Sequence, residues 1–232
     1  YYLVDVSGKV IDSSSGAGFV YCIDCENISV RSLNLKNNRY GIYFENTSDS
    51  RIENTKVSGS YYGIYLEKSD NNTIEGENIS NNYYGVRLDS SSNNTIEGNN
   101  VSNNDNGIYL SSSSNNTIKG NNVSNNDDGI FLSSSSNNTI EGNNAYGNND
   151  DGICLSSSNN NLIEGNNAYG NNDDGIQLVS SDNNAITGNN VCDNDDGIYL
   201  DSSSNNTLES NSATGNLDYG IYLKKSNNNS LG

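Results

Sequence analysis

Four aspartates, Asp128, Asp151, Asp174 and Asp196, each stand directly before a glycine. Asp127, Asp150, Asp173 and Asp195 precede them. Repeated carboxylates can do two kinds of chemistry. They can bind Ca²⁺, which takes several oxygen ligands, or serve as the carboxylate pair of a glycosidase. Asp before Gly is also a good turn residue. The pairs recur evenly, whereas a catalytic site breaks a repeat at one place. A turn role is therefore favoured over calcium, and more strongly over catalysis. No catalytic residue is assigned, and calcium is the one cofactor this column could take.

A second set lies at the x position of a recurring Gly-Ile-x-Leu motif: Tyr43, Tyr65, Arg87, Tyr109, Phe131, Cys154, Gln177, Tyr199 and Tyr222. Tyr40, Tyr61, Tyr62, Tyr83, Tyr84 and Tyr219 flank it. Aromatic faces stack on sugar rings and on partner proteins. Tyr43, Tyr65, Arg87, Tyr109, Tyr199 and Tyr222 are thus the ligand-binding candidates. Arg87 is the one cation among them, and a lyase needs such a base. The competing expectation is that the tyrosines simply stack on one another across neighbouring strands.

Two further features are weaker. Asn-x-Ser/Thr sequons occur at Asn27, Asn46, Asn71, Asn78, Asn93, Asn100, Asn115, Asn122, Asn137, Asn205 and Asn228, some of them expected to point inward. Of the four cysteines, only Cys22 and Cys25 form a C-x-x-C pair. Cys154 and Cys192 stand apart, so a zinc site lacks its second pair.

Composition removes whole classes of function. There are 29 acidic and 11 basic residues, a net charge of −18, so nucleic acid and anionic membranes are repelled. The chain has no His, Met, Trp or Pro. It therefore lacks the usual neutral-pH base and the commonest copper and catalytic-zinc ligands. No apolar run is long enough for membrane insertion. A mean hydropathy of −0.74 would suggest disorder, but the apolar residues are strictly periodic.

That periodicity supplies the elements that must position the candidates. Gly-Ile-x-Leu or a close variant begins at Gly41, Gly63, Gly85, Gly107, Gly129, Gly152, Gly175, Gly197 and Gly220, with a degenerate copy at Gly18. From Gly18 to Gly220 it advances nine times, about 22.4 residues each. Each period also holds a Thr-Ile-Glu-Gly piece and an Asn-Asn-Val/Ala piece, separated by Ser, Asn and Asp turns. Alternation points Ile108, Leu110 and Ile118 inward and Tyr109 outward. One period buries about four aliphatics, too few to fold alone, so the periods must stack. The fold expected is all-β: a single-stranded right-handed parallel β-helix of about ten coils of 22–23 residues. Asn, about a fifth of the chain, is expected to form side-chain amide ladders from coil to coil. Calcium-binding nonapeptide rolls and leucine-rich repeats fit worse, because their signature strings are missing.

The string NNTIEGNNVSNNDNGIYLSSSSNNTIKGNN, Asn93 to Asn122, resembles the parallel β-helix repeats of NosD-like proteins. They belong to a broader carbohydrate-binding and sugar-hydrolase β-helix group. The resemblance runs from about Gly18 to Lys225 and extends to cell-surface β-helix proteins of methanogenic archaea. It implies copper delivery for NosD itself, for which this chain offers only cysteines. The function expected is an extracellular or cell-surface module with a structural, adhesive or carbohydrate-binding role. The alternative is a polysaccharide-active lyase or hydrolase. Partners expected are a glycan or a cell-surface protein. Residues 1–232 read as one β-helix domain. Strand-like Tyr1–Val10, and a last motif followed by no cap, suggest part of a longer chain, with end-to-end association or further coils.

Overall fold

The computed structural model describes residues 1–232 as a right-handed parallel β-helix. Three sheets run its length. The first has eleven strands, from Tyr2–Val4 to Ile221–Lys224, and contains every Gly-Ile-x-Leu motif. The second has eleven, from Val10–Ile11 to Ser230–Leu231, and contains the Thr-Ile-Glu pieces. The third has nine, from Asn34–Lys36 to Ser212–Ala213, and contains the Asn-Val-Ser pieces. Every pairing is parallel and joins equivalent residues of consecutive coils, as in Ile108↔Ile130, Ile118↔Ile140 and Val101↔Val123. The only helix is a 3-10 turn at Ser13–Ser15.

Each coil contributes four inward aliphatics. In one coil these are Ile108, Leu110, Ile118 and Val123, all fully buried. Repeated coil after coil, they merge into a single cluster of 39 core residues. That is why a chain with so few apolar residues can fold: its inward positions are filled by aliphatics at the same places in coil after coil.

The corners are built from polar ladders. Between the first and second sheets run a serine ladder, through Ser69, Ser91, Ser113 and onward, and an asparagine ladder through Asn72, Asn94 and Asn116. Between the second and third sheets the ladder is Asn99, Asn121, Asn143, Asn166 and Asn189. Between the third and first it is Asn82, Asn104, Asn126 and Asn148. The amide ladders match the expectation; the serine ladder is a further one, formed where the sequence predicts only a turn. Each amide works in the same way. Asn121 donates its backbone N–H to Asn143 Oδ1 at 2.9 Å, and its Nδ2 to the same oxygen and to the Ile96 carbonyl, both at 2.9 Å.

Backbone conformation explains the rest of the corner. Asn71, Asn93, Asn115 and Asn137 all have φ of 58–59°, a left-handed region that Asn tolerates better than most residues. They are exposed, while the next residue in each case is the buried ladder amide. Ten of the eleven sequon asparagines are exposed and Asn122 is half-buried. None is a ladder residue, so the expectation that some point inward is not met. Gly107 has a different reason to be glycine. A Cβ there would lie 2.4 Å from the Gly129 carbonyl and 2.7 Å from Val123.

The ladder geometry sets a stability expectation. Asn143→Ala leaves the Asn121 N–H unpaired in the interior and removes the Nδ2 bond to the Ile118 carbonyl, and should cost roughly 2–4 kcal/mol. Asn144→Ala, exposed on the neighbouring strand, should cost about 0.5 kcal/mol or less. Urea unfolding of the two variants checks the difference.

Candidate functional site

The outer face of the first sheet gathers both candidate sets. Parallel register stacks Tyr43 on Tyr65, Tyr65 on Arg87, Arg87 on Tyr109 and Tyr109 on Phe131. The column continues through Cys154, Gln177, Tyr199 and Tyr222. Tyr43, Tyr65, Arg87 and Tyr109 thus form one group. Tyr199 and Tyr222, stacked at 5.2 Å with Lys224 beside them, form another further along the rod.

The first group is an interlocked lattice. Tyr40, Tyr62 and Tyr84 make a second column beside it, stacked at 4.9 and 5.4 Å with planes within 8°. The guanidinium of Arg87 lies 4.6 Å from the Tyr84 ring centre and 5.1 Å from that of Tyr109. It is held there by Asp89, at 2.9 Å. Asp89 also accepts the Tyr65 hydroxyl at 2.8 Å, and Glu67 accepts that of Tyr43 at 2.7 Å. Burial, and then these carboxylate bonds, push both phenols well above their ordinary range. Tyr65 is only 8 % exposed. The rings open to solvent are Tyr61 and Tyr83, at 48 % and 40 %, parallel within 6° at 4.7 Å. They stand edge-on against Tyr62 and Tyr84. The sequence names them only as flanking residues, because exposure depends on what the next coil lays over each ring.

The acidic residues occupy the continuation of these same columns. The Tyr62–Tyr84 column leads through Asn106 to Asp128. Asp151, Asp174 and Asp196 follow, each carbonyl accepting the N–H of the motif glycine one coil earlier, at 2.9–3.0 Å. Outside them run Asp105, Asp127, Asp150, Asp173, Asp195 and Asp218, linked by backbone bonds of 2.7–3.2 Å. The two columns stack along the rod; their carboxylates do not converge on a point, and no group of three or more His, Cys, Asp or Glu side chains is arranged to hold a metal ion.

The repeat does change here. Asp128 opens a six-residue strand, Asp128–Ser133, but the next two coils are one residue longer and their strands shrink to Ile153–Ser156 and Ile176–Val179. The motif glycines record this in the sequence: Gly107 to Gly129 is 22 residues, and Gly129 to Gly152 and Gly152 to Gly175 are 23 each. Asp151 and Asp174 are 5 % and 3 % exposed. Asp151 Oδ1 accepts the Asp174 N–H at 2.9 Å, and Asp174 Oδ2 accepts from Gln177 at 2.9 Å. Burial, helped by the neighbouring carboxylates, raises Asp128 to about 6, Asp151 to about 8 and Asp174 to about 7. Burial and then Asp151 push the Cys154 thiol up as well. A row of acids protonated near neutrality can donate as well as accept hydrogen bonds.

These acids have a testable thermodynamic sign. Their folded pKa values lie above the unfolded ones, so their contribution is complete below about pH 4 and is lost as pH rises through about 6–8. The melting temperature should fall from mildly acidic to mildly alkaline buffer. Asp151→Asn should flatten that fall; an unchanged slope would mean that Asp151 ionises normally.

A family model described as "Periplasmic copper-binding protein (NosD)" matches residues 3–148 and again 122–231. Several solved structures share the fold. The A-module of the mannuronan C-5 epimerase AlgE4 of Azotobacter vinelandii has a TM-score of 0.77 at 21% identity, covering 91% of this chain and 71% of that one. The periplasmic alginate epimerase AlgG, in a double-mutant form, gives 0.73 at 17%, covering 97% and 73%. The Dettilon tailspike protein gives 0.74 at 17%, covering 86% and 49%. No curated protein matches the chain. Copper finds no fitting donor set in these residues. There is no His or Met, Cys22 and Cys25 are buried in the first coils, and Cys154 and Cys192 lie on different sheets.

Proposed function

Because the chain belongs to the NosD family of parallel β-helix proteins, we propose that it acts outside the cytoplasm as a rigid surface module, structural or adhesive, that holds a glycan along its first sheet. One observation carries this reading. Tyr61 and Tyr83 present a pair of parallel, half-exposed rings, braced from behind by the Tyr62–Tyr84–Arg87 lattice. Such rings lose little freedom on binding, because their positions are already fixed. Sugars stack on this kind of surface, and so do partner proteins. The family's description as periplasmic supports a site of action outside the cytoplasm.

A second reading, a polysaccharide-active enzyme, is favoured by the buried acids of the first sheet. Asp151 and Asp174 keep a proton near neutral pH in the coils where the repeat gains a residue. General acid catalysis asks for a group of that kind. The solved structures that share the fold include epimerases of alginate and mannuronan.

One set of measurements separates the two. The double variant Tyr61→Ser/Tyr83→Ser should keep the melting temperature of the parent and lose at least about tenfold in affinity for a bound polysaccharide. Tyr65→Ser should instead lower the melting temperature, since its ring and hydroxyl are both engaged. If the exposed pair can be removed with no loss of binding to any glycan in a neutral and acidic panel, the adhesive reading fails. Turnover of a panel polysaccharide that disappears in Asp151→Asn would establish the enzyme in its place.

A further inference from the structure

The ladder between the second and third sheets opens with two members that are not amides, Thr55 and then Glu77. The same corner position reads Asn99, Asn121, Asn143, Asn166 and Asn189 in later coils, but Glu77 in the coil before them. Glu77 is 1 % exposed, and its Oε1 is the one buried side-chain oxygen or nitrogen in the protein without a hydrogen-bond partner.

Its two oxygens fall into the two roles of a ladder amide. Oε2 accepts the N–H of Thr55, one coil earlier, at 2.8 Å. That is the part played by Asn99 Oδ1 toward the Glu77 N–H, also at 2.8 Å. Oε1 is left with the role of Nδ2. In this ladder Nδ2 donates to the carbonyl of the inward residue one coil back: Asn99 to Ile74 at 3.1 Å, Asn121 to Ile96 at 2.9 Å, Asn143 to Ile118 at 2.9 Å. The equivalent carbonyl for Glu77 is that of Ile52. A carboxylate oxygen there sets two acceptors against each other in the interior. A carboxylic acid supplies the missing donor.

We propose that Glu77 is held in this fold as the neutral carboxylic acid, in place of a ladder amide, and that loss of its proton opens this corner between neighbouring coils. The charged groups around it do not supply an alternative partner. Arg51 is committed to Glu53 and Glu75 on the outer face of the second sheet. Lys56 and Glu97 are exposed. Glu53 is a like charge and opposes ionisation. Burial acts in the same direction and is the larger cause; it outweighs the Thr55 N–H bond, which favours the carboxylate, and the carboxyl is raised to about 8. One proton leaves Glu77 to solvent for each molecule that opens. The first-sheet strands that follow Thr55 and Glu77 carry Tyr62 and Tyr84, so the joint and the aromatic lattice share the same stretch of the rod. The inference stands whether or not that lattice binds a glycan.

The experiment follows the Glu side-chain carboxyl carbons by carbon-13 NMR across a pH series, in the parent chain and in Glu77→Gln. One carboxyl should titrate with a midpoint near 8 and be missing from the variant. Melting curves over the same range should show that the parent loses stability on the alkaline side and that Glu77→Gln loses less. Glu77→Asn, which copies the later coils, serves as the second variant should Gln pack badly. Titration of every Glu in the ordinary carboxylate range, or parallel melting profiles for parent and both variants, would overturn the proposal.

Discussion

The structure depends on one constraint: each coil must satisfy its buried polar groups with the coil above and the coil below. Strands about 4.8 Å apart leave no room for water at the corners. A side chain placed inside a corner must therefore both give and accept a hydrogen bond along the axis. Asn does this with one short planar group, and Ser with one hydroxyl. Repetition follows from the chemistry, because each side chain needs a like neighbour. The same demand keeps the inward aliphatics in register and so joins ten small clusters into a single core.

Much of this was legible in the residues. The 22-residue advance of the motif glycine, the alternation around Ile108 and Leu110, and the abundance of Asn gave the coil, its three strands and its ladders. The serine ladder is harder to read, because Ser113 stands in a run of four serines and nothing in the run marks which hydroxyl turns inward. The tyrosines were harder. Tyr65 and Tyr61 are both aromatic residues on the outside of a coil, yet one is covered by its neighbours and the other is open. Glu77 could have been found. Aligning the repeats puts it at a position that reads Asn in the six coils that follow, where an acid has no obvious place.

The first sheet shows how far the ladder principle can be bent. Its outer columns begin with tyrosines, which satisfy one another through stacked rings and carboxylate-bound hydroxyls. Two of them pass, midway along the rod, into aspartates, which cannot satisfy one another unless some of them keep a proton. Along one face the rod therefore passes from an apolar, rigid surface to a polar one whose charge follows the pH of its surroundings. The solved structures that resemble this chain share its scaffold.

Because every strand bonds only to the equivalent strand of the next coil, the hydrogen bonds lie along the long axis while the chain winds around it. A force applied between the ends of such a rod does not shear a whole sheet at once. It peels the terminal coil from its neighbour, and only then loads the next. Each release frees a loop of about 22 residues, roughly 75 Å of slack at full extension. An object tethered through this protein would thus be held by a spring that yields in small, equal steps and recoils coil by coil when the load is removed.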